Sequence, residues 1–279
     1  MRRTSLWLKS LKMAVAFCAW AAAVACLGAP ARAADEPVDL ELVLAVDISF
    51  SMDTDELQLQ RDGYVSALRH PELIQAIQSS GYGRIAVTYV EWAGTLSVRT
   101  VLPWTLIDGQ ATADAFAARL AAEPLTRARR TSISGALAYS GTLFDGNGLS
   151  GLRRVIDVSG DGANNQGLPV TLVRDRIVSE GVTINGLPII LKTRNPGGFF
   201  DIADLDIYYE DCVIGGFGAF IVPVRTLTGF AAAVRRKLVL EIAGLPPRVV
   251  PAQFAERPPR VDCLVGEKRW RQRYEYWDN

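Results

Sequence analysis

The chain has 279 residues, 49% of them apolar, and sets 30 basic side chains against 30 acidic ones. The length suits one α/β unit with additions and a single core. Residues 1–33 hold five of the basic residues and no acidic one, so the remainder is acidic by five. That balance argues against nucleic acid or an anionic membrane as partner.

Arg2, Arg3, Lys9 and Lys12 flank an apolar segment from Met13 to Leu27, and Ala31-Arg32-Ala33 supplies a small-x-small cleavage site before Ala34. This order predicts a secretory signal peptide over 1–33 and export to the periplasm or beyond. Ala23-Val24-Ala25-Cys26 is a poor lipoprotein box, and the Arg2-Arg3 pair is weak evidence for a twin-arginine route. No later stretch reaches the roughly 20 apolar residues of a transmembrane helix, so the mature chain is expected to be soluble. Cys18 and Cys26 leave with the signal, and Cys212 and Cys263 remain. An even pair in an exported chain predicts a disulfide, because a metal site needs more ligands.

The run Leu40 to Val46 reads as a strand buried on both faces, as in a parallel sheet covered by helices. A helix follows from about Asp53 to Arg69, ended by His70-Pro71, and a shorter one carries Leu73, Ile74 and Ile77. Arg84–Trp92 and Leu96–Trp104 read as a hairpin joined by Ala93-Gly94-Thr95, and Pro103 suits an antiparallel edge. An alanine-rich helix runs from about Gln110 to Glu123, and a basic loop, Arg127 to Arg130, leads to a helix burying Ile133, Leu137 and Phe144. Val155–Ser159 is a strand, Val170, Val173 and Ile177 mark a helix, and Val182–Leu191 is a strand followed by a Gly/Pro loop over 192–200. Ile202, Leu205 and Tyr209 predict a short helix, Ala219–Val224 a last buried strand, and Phe230, Val234, Leu238 and Ile242 a final helix closed by Gly244.

The alternation predicts a doubly wound α/β fold: a mostly parallel sheet, one antiparallel edge strand and helices on both faces. The domain is expected over 34–244. Residues 245–279, with five prolines and the aromatics Trp270, Tyr274, Tyr276 and Trp277, are expected as an extension packed on it.

The chemistry gathers where strands end. Asp47, Ser49 and Ser51 leave the carboxyl end of the first strand at alternating positions, which brings three oxygens to one point and suits a hard cation. Helix capping is the plainer use of such residues, and Asp53 with Glu56 makes a capping box. Thr131 or Ser132 can cap the helix that follows, and Asp161, before Gly162, can serve a turn. Asn164, Asn165 and Gln166 follow on the same face, as ligand contacts or as ordinary loop polarity. Asp157, inside an apolar strand, requires a partner, and a structural role is the first expectation.

Asp47-x-Ser49-x-Ser51 after a buried strand resembles the metal-ion-dependent adhesion site of von Willebrand factor type A domains. Thr131, in Thr-x-x-x-x-Ala-Leu, and Asp161, in Asp-Gly, match its remaining positions. Val155 to Gly162, Cys212-Val213-Ile214-Gly215-Gly216 and Arg235 to Ala243 are similar to an uncharacterised bacterial exported family built on that domain. The resemblance covers about Val38 to Ala243. It implies Mg²⁺ or Mn²⁺ at Asp47, Ser49, Ser51, Thr131 and Asp161, and a protein partner captured through an acidic side chain. The alternatives are a metal-dependent hydrolase and an envelope component with a vestigial site. His70 is the only histidine, and no Gly-x-Ser-x-Gly or Cys-His pair is present, so no catalysis is expected.

Overall fold

The computed structural model describes residues 34–191, 202, 204–244 and 259–277. The expected signal segment, the loop over 192–200 and residues 245–258 lie outside them.

The apolar run becomes strand β2, Glu41–Asp47, buried at every position. A short strand, β1 (Glu36–Val38), precedes it, and β3 (Ile85–Trp92) and β4 (Val98–Ile107) follow. Further along come β5 (Leu149–Gly151), β6 (Arg154–Gly160) and β7 (Thr183–Pro188). The main sheet has the order β4-β3-β2-β6-β7, with β4 antiparallel at one edge as the hairpin pattern requires. β2 pairs in parallel with β3 and β6, which places it at the centre and sets its carboxyl end beside that of β6. β1 and β5 form a separate two-stranded parallel pair that the sequence reading missed. Three-residue strands leave no periodicity to detect.

The helices are α1 (Thr54–Leu68), α2 (Pro71–Gln78), α3 (Gln110–Ala122), α4 (Ile133–Thr142), α5 (Val170–Ser179), α6 (Leu205–Tyr208), α7 (Phe230–Ala243) and α8 (Val265–Trp277). Strand alternation splits the core into two layers. Leu42, Leu44 and Val46 pack with Leu57 and Tyr64 of α1, Phe116 of α3 and Phe230, Val234 and Leu238 of α7. Val43 and Ala45 face the other layer, with Ile133 and Leu137 of α4, Val173 and Ile177 of α5, and Tyr208 and Tyr209. Each fully buried Leu or Phe contributes about 2 kcal/mol, so these layers and not the polar residues specify the sheet.

Local chemistry sets the helix ends. Asp53 and Glu56 form the expected capping box at α1, at 2.8 and 2.9 Å. His70 caps α2, accepting from Glu72 N at 3.2 Å, with Pro71 in the first turn. Gly244 closes α7 in the left-handed region at φ 65°. Arg153 donates to the carbonyls of Glu241 and Ile242 at 2.6 and 2.7 Å.

The expected last strand is reduced. Residues 220–224 run beside β7 but make only isolated parallel bridges, Gly186 to Ile221 and Ile189 to Val224. Pro188 and Pro223 each remove a donor from the ladder. The short helix α6 continues as a π-helical turn over Tyr209–Val213, which carries Cys212.

Asp157 finds its partner in Lys237 of α7, whose Nζ lies 2.5 Å from Asp157 Oδ1 and 2.5 Å from Glu241 Oε1. All three are at most 2% exposed. Two buried carboxylates thus share one ammonium. Burial, and next the charge of Asp157, push Glu241 up to about 7. Burial raises Asp157 too, against the pull of Lys237.

Candidate metal centre

The end of β2 is held open by its neighbours. The loop after Asp47 pairs with the basic loop: Phe50 N donates to Ala128 O and Ala128 N to Ile48 O, both at 3.0 Å. This contact carries the chain on to Thr131. Asp161 follows the last residue of β6, the strand adjacent to β2.

Asp47 is fully buried, and its Oδ1 accepts from Ser49 N at 2.7 Å. Ser49 Oγ lies 2.6 Å from Ser51 Oγ, and Ser51 Oγ donates to Asp161 Oδ1 at 2.6 Å. Three close neighbours in sequence and Asp161, 110 residues beyond Ser51, thus form one connected chain. Thr131, 5% exposed, is clipped to the loop after Asp161 from both sides. Its N donates to Asn165 Oδ1 at 3.0 Å, and its carbonyl accepts from Asn165 N at 2.8 Å. Its Oγ1 would lie 3.9 Å from a methyl built on Gly162. The structure therefore brings all five predicted oxygen side chains to one end of the sheet.

Asp47 Oδ2 is buried and has no hydrogen-bond partner. Burial, and next the negative charge of Asp161, push the Asp47 carboxyl well above the ordinary carboxylate range. An orphaned carboxylate oxygen beside a second carboxylate is stabilised by a cation more than by any neutral group. Two carboxylates and three hydroxyls are hard oxygen donors, the set that Mg²⁺ and Mn²⁺ accept. The residues present fit such an ion. No group of three or more His, Cys, Asp or Glu suited to a metal exists among the described residues, so an ion here relies on the hydroxyls.

The three neighbours predicted on the ligand face are placed differently. Asn164 is fully buried. Its Oδ1 accepts from Ser134 N at 3.0 Å, and its Nδ2 donates to Leu168 O at 3.2 Å and to Glu267 Oε1 at 2.7 Å. Asn165 serves as the Thr131 clip, and Gln166 Oε1 accepts from Thr95 N at 3.1 Å. The cause is backbone demand: three loops meet here and their amides require acceptors. These side chains staple loops together, Asn164 fully buried and Asn165 and Gln166 partly so.

Two features, which the sequence places in a short helix and in a packed extension, carry no sequence link to the site. Tyr209, buried in the π-helical turn, points its hydroxyl at the site without a hydrogen-bond partner. Burial, and next the charge of Asp47, raise it far above the ordinary tyrosine range. Helix α8 docks on the loop after Asp161. A Cβ on Gly266 would lie 2.0 Å from Asn164 O, and Arg130 stacks 3.3 Å from the centre of the Trp270 ring. The predicted Cys212–Cys263 disulfide is present, with Cα atoms 5.5 Å apart, and joins this region to the turn bearing Tyr209.

The fold is that of a von Willebrand factor type A domain. The chain belongs to the family described as "Protein of unknown function (DUF1194)", matched over residues 37–246. Among curated proteins none matches it. Among solved structures it is similar to proximal thread matrix protein 1 of the mussel byssus, at 16% identity and a TM-score of 0.55, over 75% of this chain and 49% of that one. The same protein with a zinc-occupied MIDAS motif aligns at 16% identity and 0.52, over 76% and 49%. The pilus adhesin SpaC of Lactobacillus rhamnosus GG aligns at 13% identity and 0.51, over 75% and 30%. The chain thus spans about half the length of the byssus protein and under a third of SpaC. At these identities the likeness establishes the fold.

Proposed function

We propose that the protein is an exported, metal-dependent protein-binding module for adhesion or assembly. In this reading Asp47, Ser49, Ser51, Thr131 and Asp161 hold Mg²⁺ or Mn²⁺, and the ion takes an acidic side chain of a partner. The observation that carries it is the buried, unpartnered Asp47 Oδ2 at the head of a chain of hydroxyls ending on Asp161. The exposed Ser51 marks the side from which a ligand reaches the site.

The chemistry favours capture. With Ser49, Ser51 and Thr131 as neutral direct ligands and Asp47 and Asp161 acting largely through water, a bound ion would keep much of its positive charge, so an anionic ligand completes its coordination and tightens it. Metal and partner are therefore coupled, each raising the affinity of the other by the same factor. The zinc-occupied MIDAS motif of the byssus protein and the pilus adhesin supply the analogy. Binding without catalysis is part of the proposal. His70 is engaged in capping α2, and its Nε2 lies 2.9 Å from Arg235 Nη1.

Export is proposed from the order of residues 1–33. It agrees with the disulfide and with the lack, among the described residues, of a helix long and apolar enough to cross a membrane. A pull-down from envelope extract, run with Mg²⁺ and again with EDTA, tests the class. Partners retained only with metal support the reading, and partners indifferent to EDTA refute it.

A further inference from the structure

We propose that the metal face continues into a basic subsite, formed by the Arg127–Arg130 loop and helix α8, that receives an acidic segment of a partner protein and not a lone acidic residue. The inference rests on the proposed function and narrows the class of partner.

Although the chain as a whole carries equal numbers of acidic and basic residues, two segments hold cations alone: Arg127-Ala128-Arg129-Arg130 and Lys268-Arg269-Trp270-Arg271-Gln272-Arg273. The fold brings them together. Arg130 stacks on Trp270 at 3.3 Å, and the Arg273 guanidinium is 6.0 Å from the same ring centre. One indole thus gathers two positive charges. Arg127 Nη2 donates to the carbonyls of Phe50, at 3.1 Å, and Met52, on the loop that carries Ser49 and Ser51. Arg130 immediately precedes Thr131 and has φ 78°, the left-handed region, the one such non-glycine among the described residues. A strained backbone next to a site persists where packing over-determines it. The stack on Trp270 supplies that packing.

The patch is rigidly mounted. Gly266 sits against Asn164 O with no room for a methyl, Glu267 accepts from Asn164, and the disulfide anchors the segment just before α8. Glu56 and Asp161 line a small cleft with Ile189 and Leu205, whereas Arg130 directly precedes Thr131. On α8 Lys268 is paired with Asp262 at 2.7 Å, and Arg271 faces Glu267. Arg129, Arg271 and Arg273 are exposed. Guanidinium groups match carboxylates in charge and planar geometry. A segment with one carboxylate on the ion lays the next ones along these arginines, and the polarity of the face sets its direction.

Fluorescence anisotropy with two labelled peptides tests this: a glycine–serine peptide bearing one glutamate, and the same peptide bearing a run of glutamates. In Mg²⁺ the run is expected to bind about tenfold more tightly than the single glutamate, with the difference shrinking as salt rises. The variant Arg129→Gln, Arg271→Gln, Arg273→Gln should erase that difference while a single-site Mg²⁺ titration and binding of the single-glutamate peptide persist, which also reports that it folds. A gain that survives in the variant overturns the inference. So does arginine-dependent binding of phosphatidylglycerol vesicles with no gain for the glutamate run. An arginine-dependent gain that ignores EDTA and Asp47→Ala keeps the basic subsite and refutes the metal reading.

Discussion

Asp47 and Tyr209 meet across Gly160: a carbon added to that glycine would lie 2.9 Å from Asp47 Oδ2 and 2.9 Å from the Tyr209 hydroxyl. Both oxygens are buried without hydrogen-bond partners. The bare backbone of Gly160 therefore keeps open the space behind the site. Gly160→Ala is expected to push the Asp47 carboxylate out of place and weaken Mn²⁺ binding by tenfold or more, for a stability cost of about 1–3 kcal/mol. Tyr209→Phe removes a hydroxyl that has no partner and should leave stability within about 1 kcal/mol. Titration calorimetry and urea unfolding of both variants check this, and wild-type metal affinity in Gly160→Ala would contradict it.

The seat of α8 gives a second prediction. The nearest atom to a Cβ on Gly266 is the Asn164 backbone carbonyl at 2.0 Å, and backbone cannot swing aside as a side-chain tip can. Gly266→Ala should lift α8 from the loop. Hydrogen exchange over 265–273 should then rise, while exchange in β2 and β6 stays as in the wild type.

Cys212 and Cys263 close a loop with a sequence separation of 51 residues, for which chain entropy predicts a stabilisation of about 4 kcal/mol. Thiol labelling of the unreduced, denatured protein should find neither cysteine reactive. The Cys212→Ser, Cys263→Ser pair should unfold at lower urea with the sheet intact, and an unchanged midpoint would count against the account.

The buried cluster of Asp157, Lys237 and Glu241 sets a pH dependence. Glu241 rises from its ordinary 4.5 to about 7, so between these values the native chain holds a proton that the unfolded chain has released. Its contribution is complete below about pH 4.5 and is lost as pH rises through about 7, on the order of 3 kcal/mol in all. Glu241→Gln keeps the neutral form at every pH. The stability of the wild type relative to this variant should therefore fall across that window, and a flat difference would refute the assignment.

The fold was legible because its strongest signals are local. The apolar run of β2, the capping box at Asp53 and Glu56, and Pro103 in the edge strand each act within a few residues. Asp47, Ser49 and Ser51 stand out because they follow the apolar run of β2, whereas Thr131 and Asp161 are singled out only by the resemblance to the type A motif. What escaped depends on contacts distant in sequence. Tyr209 reaches the site from a π-helical turn, and Asn164 faces inward because Ser134 and Glu267, on separate helices, claim its amide. Helix α8 read as an aromatic tail, since its fit depends on the carbonyl of Asn164.

The central claim is that Asp47, Ser49, Ser51, Thr131 and Asp161 form one cation site. Isothermal titration of Mg²⁺ and Mn²⁺ into the wild type and Asp47→Ala, with circular dichroism on both, tests it most directly. One site in the wild type, absent from a folded Asp47→Ala, is the expected result. Equal binding by the two proteins would show that these residues only cap helices and staple loops.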